Sequence, residues 1–488
     1  MDHTLPHPQT VATKSSLDTA VILTTVGLFG DGPGVLGKRE VTPLMKVGGL
    51  TVFQRAVLTL QRAGCTHLLV LAGEQEESLR RSVRDDARLT LSIRWMPVRE
   101  FPLTDPHTWE TLSDEIKGPC LLVGPRAMFA RSLVERLRQE VRDGETALLV
   151  VNQEPRAARG EVRNPVVAWH DGRLTGVAEP APGLADESRD TDPCAADLLV
   201  LPGHLLGMAA ASTPGGPPIR SMLERLAPSG RVKVLEARPD VGLWFHQARG
   251  HRGAAAAERT LVRSLRGEFE GFVDTYFNRK ISAMLTSLFL SLRLSPNAVT
   301  LISIAIGLVA AVLFGMGGYA AGIIGALLFQ LSAIVDCCDG EVARLTFSES
   351  KAGEQLDIMG DNVVHMAIFA GIAWGAYSQP ESSADMGIGS WVPLALGGAA
   401  VAANGISLWL VTRAKAIRDR GGWRSPDQAA RVEFILRNMA SRDFSVALLA
   451  AALVGLLPWF LWLTAIGANL FWVMLAWVSR LSVRSPLA

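Results

Sequence analysis

Asp336-Cys337-Cys338-Asp339-Gly340-Glu341-Val342-Ala343-Arg344, eight further residues, then Gly353-Glu354-Gln355-Leu356-Asp357-Ile358-Met359-Gly360-Asp361 is the stretch on which the reading of the chain turns. Asp336 and Asp339 are three apart, and Asp357 and Asp361 four apart, so helical segments present each pair on one face. Two such faces, opposed, make a four-carboxylate cluster between long apolar flanks. An acid at membrane depth costs roughly 2.5–3.5 kcal/mol on insertion scales, so several together call for a compensating cation or a watery cavity. Hard oxygen ligands of this kind suit Mg2+ or Mn2+. Gly340 and Gly353 allow a ligand or neighbouring helix close to the backbone, and Ala343 keeps that face shallow. Arg344 is placed to pair with a carboxylate or a phosphate. On the residues alone two other readings stay open: buried acids paired with Arg344 or Lys351, and an ion-conducting helix pair.

Outward from this stretch the second half of the chain is lipid-like. Six candidate spans run near Ala298–Met316, Tyr319–Leu345, Glu354–Tyr377, Trp391–Val411, Phe444–Leu461 and Trp462–Val478, each close to the roughly 20 apolar residues of a bilayer crossing. Gly315–Gly318 and Pro380–Gly389 carry no Lys or Arg, whereas Arg413–Arg442 carries many and the tail holds Arg480 and Arg484. The positive-inside rule then places both termini and the acid cluster on the cytoplasmic side of a multi-pass inner-membrane protein. Gly271–Leu292 is amphipathic, with Arg279 and Lys280 on its polar side, and reads as an interfacial helix. Gly371 and Gly375 are small residues of the kind that pack helices into a homodimer.

The pattern Asp-x2-Asp-Gly-x2-Ala-Arg-x8-Gly-x3-Asp-x3-Asp resembles the signature of the CDP-alcohol phosphotransferase family of integral membrane enzymes, with every fixed position filled. The resemblance covers roughly Phe272–Ala488 and includes Asn278-Arg-Lys-Ile-Ser282 and Pro296-Asn297-x-x-Thr300. It implies that Asp336, Asp339, Asp357 and Asp361 form the metal centre, with Asp361 also the general base. It also implies that Asp336, Asn297, Thr300, Gly340, Ala343, Arg344 and Gly353 meet the CDP moiety. Thr412-Arg413-Ala414-Lys415 resembles the stretch that brings a basic residue to an acceptor phosphate, with Lys415 best aligned and Arg413 and Arg418 as neighbours. A cytoplasmic anchor obeying the charge rule is the other reading of these three cations. The donor implied is a CDP-alcohol, CDP-inositol or CDP-diacylglycerol, and the acceptor is inositol phosphate or another polar alcohol.

The first half reads as a soluble α/β domain. Val21–Val26, His67–Ala72, Cys120–Val123 and Ala147–Val151 are predicted strands, and Val52–Ala63 and Arg131–Val141 predicted helices. Gly32, Gly34 and Gly37 match Gly-x-Gly-x-x-Gly, but Pro33 removes an amide donor and Val41-Thr-Pro-Leu follows where a helix should begin. The layout, with Pro43-Leu44-x-x-Val47-Gly48-Gly49, is similar to the sugar-phosphate nucleotidyltransferase fold, in particular to cytidylyltransferase domains fused ahead of CDP-alcohol phosphotransferases in inositol-phosphate metabolism. Its chemistry departs from that resemblance. Thr42 stands at the phosphate-binding Lys position, with Lys38, Arg39 and Lys46 nearest; Gly124-Pro125-Arg126 replaces a metal-binding Asp; Phe245-His246-Gln247 replaces a second acidic site. A catalytically silent domain is therefore expected, with Asp31 and Asp105 as the remaining candidate ligands. Glu154–Arg163 and Glu179–Pro193 read as surface insertions.

Length, composition and charge agree with this plan. The 488 residues divide as a disordered tail (1–19), an α/β nucleotidyltransferase-like domain (20–250), a connector with its interfacial helix (251–295) and an all-α six-helix transmembrane domain (296–488). A net charge of +1 without a long basic run excludes nucleic acid as a partner, leaving small molecules and membrane lipids. Five cysteines without paired spacing argue against a disulfide framework, and Cys337 and Cys338 read as small packing residues. Met1–Ser16 lacks a signal-peptide apolar core, so the chain is expected to begin in the cytosol. Competing with a CMP-releasing transferase are a divalent-cation transporter, a membrane-anchored sensor whose N-terminal domain is the binding module, and a CDP-diacylglycerol-dependent phospholipid synthase with a structural N-terminal domain.

Overall fold

The computed structural model describes residues 17–25, 27–29, 43–140, 147–155, 164–178, 191–210, 218–248, 250–264, 279–379, 389–419 and 443–482. They belong to two compact units, Met1–Ser264 and Leu265–Ala488. The Gly-rich loop with Asp31, Lys38, Arg39 and Thr42, the segments 156–163 and 179–190, and Asn278, Arg437 and Arg442 lie outside the described residues.

The strands of the first unit are β1 (Thr19–Leu23), β2 (Lys46–Val47), β3 (Leu50–Thr51), β4 (His67–Ala72), β5 (Ser92–Pro97), β6 (Pro119–Val123), β7 (Ala127–Phe129), β8 (Ala147–Pro155), β9 (Val166–His170), β10 (Arg173–Ala178), β11 (Thr191–Pro202), β12 (Val232–Glu236) and β13 (Phe245–Gln247). Its helices are α1 (Val52–Arg62), α2 (Glu76–Arg84), α3 (Pro106–Glu115), α4 (Arg131–Glu140), α5 (Leu206–Ala210), α6 (Pro218–Leu226) and α7 (Gly250–Ser264). Nine strands form one mixed sheet in the order β5-β4-β1-β6-β11-β8-β12-β10-β9. Val21, Leu69, Leu122 and Leu199 are buried in one apolar cluster, because strands covered on both faces read as continuous apolar runs. Thr191–Pro202, whose first residues read as surface insertion, is a long strand near the middle of this sheet, bonded to both β6 and β8. β1 pairs in parallel with β4 on one side and β6 on the other. The chain order thus reverses between β1 and β6, where open α/β sheets leave a crevice at the carboxyl ends of the strands.

Local chemistry sets the helix starts. Thr51 and Gln54 form a reciprocal capping box on α1. Asp105 caps α3 by accepting from the His107 amide at 3.0 Å, with Pro106 in the first turn. That carboxylate, a candidate ligand by sequence, is committed to a helix end.

The described residues of the second unit form helices and no strands: α8 (Arg279–Ser291), α9 (Pro296–Met316), α10 (Tyr319–Thr346), α11 (Lys351–Ser378), α12 (Val392–Asp419), α13 (Asp443–Leu453) and α14 (Leu457–Ser482). Five of them, α9 to α12 and α14, are long and apolar enough to cross a membrane. Among the described residues the six-helix expectation is not confirmed at its fifth member. Phe444–Leu461 is not one span but the 11-residue α13, a turn at Gly455 (φ 72°) and the start of α14. At about 1.5 Å per residue α13 reaches roughly half of a ~30 Å hydrocarbon core. Hydropathy averaged over the segment runs across the break, because Gly455 is as acceptable to lipid as its neighbours.

Exposed apolar residues cover the outside, among them Leu301, Val312, Leu327, Leu463 and Leu470. Tyr319, Trp374, Tyr377, Trp391 and Trp459 are exposed at helix ends remote from Asp336 and Asp339, as side chains with an apolar body and a polar tip are at a bilayer interface. α8 exposes Met284 and Leu288 and buries Ser282, Thr286 and Leu290, which makes it two-faced.

The bundle closes on glycines of α11. A Cβ at Gly371 would lie 2.3 Å from the Ala311 carbonyl oxygen, and one at Gly375 would lie 2.2 Å from that of Phe314. Both glycines are therefore used inside the chain against α9 and carry no argument for a dimer. Replacing Gly371 or Gly375 by Val should destabilise the helix unit by at least about 1–3 kcal/mol, the usual range for overpacking. Gly398→Ala, at a position with nothing within 4 Å, should leave it unchanged; thermal unfolding in detergent measures both.

Candidate active site and metal centre

Sequence builds the site at one end of three helices. Ser295 caps α9 through the Ala298 amide with Pro296 in the first turn, and Ser350 caps α11 through the Gly353 amide. α10 ends at Phe347, held at φ 56°, and the chain returns through Ser348–Ser350 into α11. The carboxylates of α10 thereby meet those of α11 across a tight antiparallel turn.

Asp336, Asp339 and Asp357 each offer an oxygen, and the three oxygens lie within 4.8 Å of one another. Asp336 and Asp339 are buried and Asp357 half-buried. Three like charges this close at reduced dielectric repel strongly, and a hard divalent cation relieves them. The all-oxygen donor set fits Mg2+ or Mn2+. Asp361, one turn further along α11, is exposed and is not in this group of three.

The neighbouring motif residues come to the same place. The Thr300 hydroxyl donates to Asp339 Oδ2. Asn297 Oδ1 lies 3.2 Å from where a Gly353 Cβ would stand, so a side chain at 353 would crowd Asn297. The Arg344 guanidinium lies 3.4 Å from the corresponding point at Gly340, so the arginine folds back over a bare stretch of its own helix. Arg344 is exposed and, among the described residues, has no carboxylate in ion-pair distance. Ala343 is half-buried.

Of the three acceptor-side cations, Arg413 is exposed on α12 with its guanidinium 5.4 Å from the centre of the Trp409 ring, a cation–π contact that suits an interfacial anchor. The side chains of Lys415 and Arg418 lie outside the described residues.

Two polar groups of the helix unit escaped the sequence reading. Glu341 is 3 % exposed and accepts from Ser282 Oγ at 3.2 Å and Thr286 Oγ1 at 2.7 Å, both on α8. His365 follows Asp361 by one turn, bonds the Asp361 carbonyl at 2.7 Å, and sits among the rings of Phe329, Phe369 and Phe444. His365 stands in a mostly apolar run, where a polar residue at membrane depth is the signal to follow, whereas Glu341 was masked by the motif acids on either side of it.

In the first unit the crevice between β1 and β6 contains an unexpected acid. Asp197, from β11, is 3 % exposed and accepts from the Leu28 amide at 3.2 Å. A Cβ at Gly124 would lie 2.5 Å from Asp197 Cβ. An acid at 124, where the nucleotidyltransferase resemblance expects one, and the observed Asp197 exclude each other. At the second expected acidic position His246 shares a hydrogen bond with Thr260 Oγ1 at 2.8 Å, and burial pushes its pKa down. Burial raises the thiols of Cys65 and Cys120 to about 11 and about 12, which makes them inert as nucleophiles.

Residues 293–478 match the family model of CDP-alcohol phosphatidyltransferase. The chain is 24% identical over 361 residues to a "Bifunctional IPC transferase and DIPP synthase" of Thermococcus kodakarensis, covering 72% of this chain and 76% of that one. A protein of the same description from Archaeoglobus fulgidus is 35% identical over 118 residues, about a quarter of either chain (24% and 23%). Among solved structures, the inositol-1-phosphate CTP transferase of T. maritima is similar at 12% identity and TM-score 0.37, over 51% of this chain and 96% of that one. The match to the CDP-alcohol phosphatidyltransferase family model thus lies within the helix unit, with the filled aspartate pattern near its start.

Proposed function

We propose that the helix unit moves a phospho-alcohol or phosphatidyl group from a CDP-alcohol to an acceptor hydroxyl and releases CMP. The observation that carries this reading is the approach of Asp336, Asp339 and Asp357 to within 4.8 Å, one helical turn from Asp361. The three aspartates would hold Mg2+ or Mn2+, which when bound offsets the charge of the diphosphate and of the departing CMP. Asp361, exposed where an acceptor arrives, takes the proton of the attacking hydroxyl. The new P–O bond forms as the bond from the same phosphorus to CMP breaks. Arg344, lying across Gly340, meets a phosphate of the donor, and Asn297, Thr300 and Gly353 shape the floor beneath it. Lys415, with Arg413 and Arg418 nearby, receives an acceptor phosphate.

Loop charge favours a cytoplasmic site, where a soluble CDP compound arrives. The relatives' descriptions and the fused layout favour an inositol-phosphate acceptor with CDP-inositol as donor; CDP-diacylglycerol is the second choice. The N-terminal unit is read as catalytically silent, serving to bind or to position. Nucleotidyl transfer needs carboxylates that hold a metal at the triphosphate. The acid in the crevice, Asp197, is instead buried and engaged by the Leu28 amide.

Purified protein in detergent with Mg2+ should release CMP from CDP-inositol in the presence of inositol phosphate, and chelation by EDTA should abolish release. Asp361→Asn should lower kcat by roughly 10²–10⁴, the usual worth of a positioned base. Absence of CMP release from both donors, together with metal-dependent flux of Mn2+ into proteoliposomes, would replace this reading with the transport one. In a separate assay, CTP with inositol phosphate should yield no pyrophosphate; release at a rate comparable to CMP formation would show that the first unit is active.

A further inference from the structure

We infer that Glu341 is a positioning residue: it latches α8 onto the turn of α10 that carries Asp336 and Asp339, and so sets the direction in which those two carboxylates point. The inference rests on reading Asp336, Asp339 and Asp357 as the group that holds a divalent cation.

Glu341 follows Asp339 by two positions, about 200° around the helix, so it leaves the opposite side of the same turn. There it accepts from Ser282 and Thr286, which stand four apart on one face of α8. Cys338, three residues before Glu341, lies with its sulfur 3.6 Å from the Ser282 carbonyl, so the contact extends along that face. All three bonded residues are closed off, with Ser282 at 1 %, Thr286 at 0 % and Glu341 at 3 % exposure. On the other side Thr300 of α9 donates to Asp339. The turn is therefore tied at both faces, to α8 through Glu341 and to α9 through Asp339, and it can rotate only if one tie breaks.

A leucine in place of Glu341 would fill similar space without burying a polar group. What the carboxylate adds is direction, since its two oxygens each take a hydroxyl from α8. Glu341 is not one of the three residues whose oxygens converge, so its influence on the centre runs through the helix that it holds.

The test is Mn2+ binding to the purified full-length chain in detergent, read by electron paramagnetic resonance, beside kcat and donor KM. Glu341→Leu should weaken Mn2+ binding at least fivefold and lower kcat while donor KM stays within twofold. Glu341→Gln, whose amide oxygen still accepts a hydroxyl, should recover most of the Mn2+ affinity. The double variant Ser282→Ala, Thr286→Val removes the donors from the other side and should repeat the Glu341→Leu shift; it carries the test if Glu341→Leu fails to fold. Folded variants that bind Mn2+ as the parent does would overturn the latch, as would a loss in Glu341→Gln equal to that in Glu341→Leu. A parent chain that binds no Mn2+ would instead overturn the metal reading on which the latch depends.

Discussion

Mutual repulsion of three carboxylates held within 4.8 Å of one another is the constraint on which the helix unit depends. Two of them are buried, in a bundle whose outer surface is apolar, so water screens them little. Such an arrangement persists only when packing fixes the helices and polar partners hold the acids. Here the close packing comes from α11 glycines against α9 carbonyls, and polar ties come from Thr300 on one side of α10 and the α8 hydroxyls on the other. The three helices that meet at the cluster are thus specified by small residues and short hydroxyl side chains more than by large apolar ones.

The first unit solves a different problem. Its strand order reverses between the parallel neighbours β1 and β6 and so leaves a crevice at the carboxyl ends of those strands. Asp197 fills part of that space because Gly27 and Gly124 present no side chains to it. Its carboxylate accepts the Leu28 amide, which ties the segment after β1 to the central strand β11. The acid that the loop after β6 lacks is thus present in the fold, but on another strand and in a structural bond.

Much of the architecture was legible from residue patterns. His67–Ala72 is a strand with the boundaries read from its apolar run, and the Ala147, Val52 and Arg131 elements begin where expected. These are long periodic segments with caps or turns at their ends, and local sequence controls them. The break at Gly455 was not legible, since a positive φ in an apolar run leaves no hydropathy signal. The strand Thr191–Pro202 was obscured by its polar, proline-containing start, which only pairing with β8 and β9 stabilises.

The sequence by itself determined the carboxylate spacing, the glycines beside it and the division into an α/β half and a lipid-like half, because each is a matter of neighbours along the chain. Only the tertiary structure decided that three aspartates converge while Asp361 stands apart, that Gly371 and Gly375 serve α9 within the chain, and that Glu341 turns away from the acids it sits among in sequence. The physical reason is that a helix distributes adjacent residues around its axis. Which side meets α8, α9 or α11 is settled by how those helices pack, and no local preference encodes that choice.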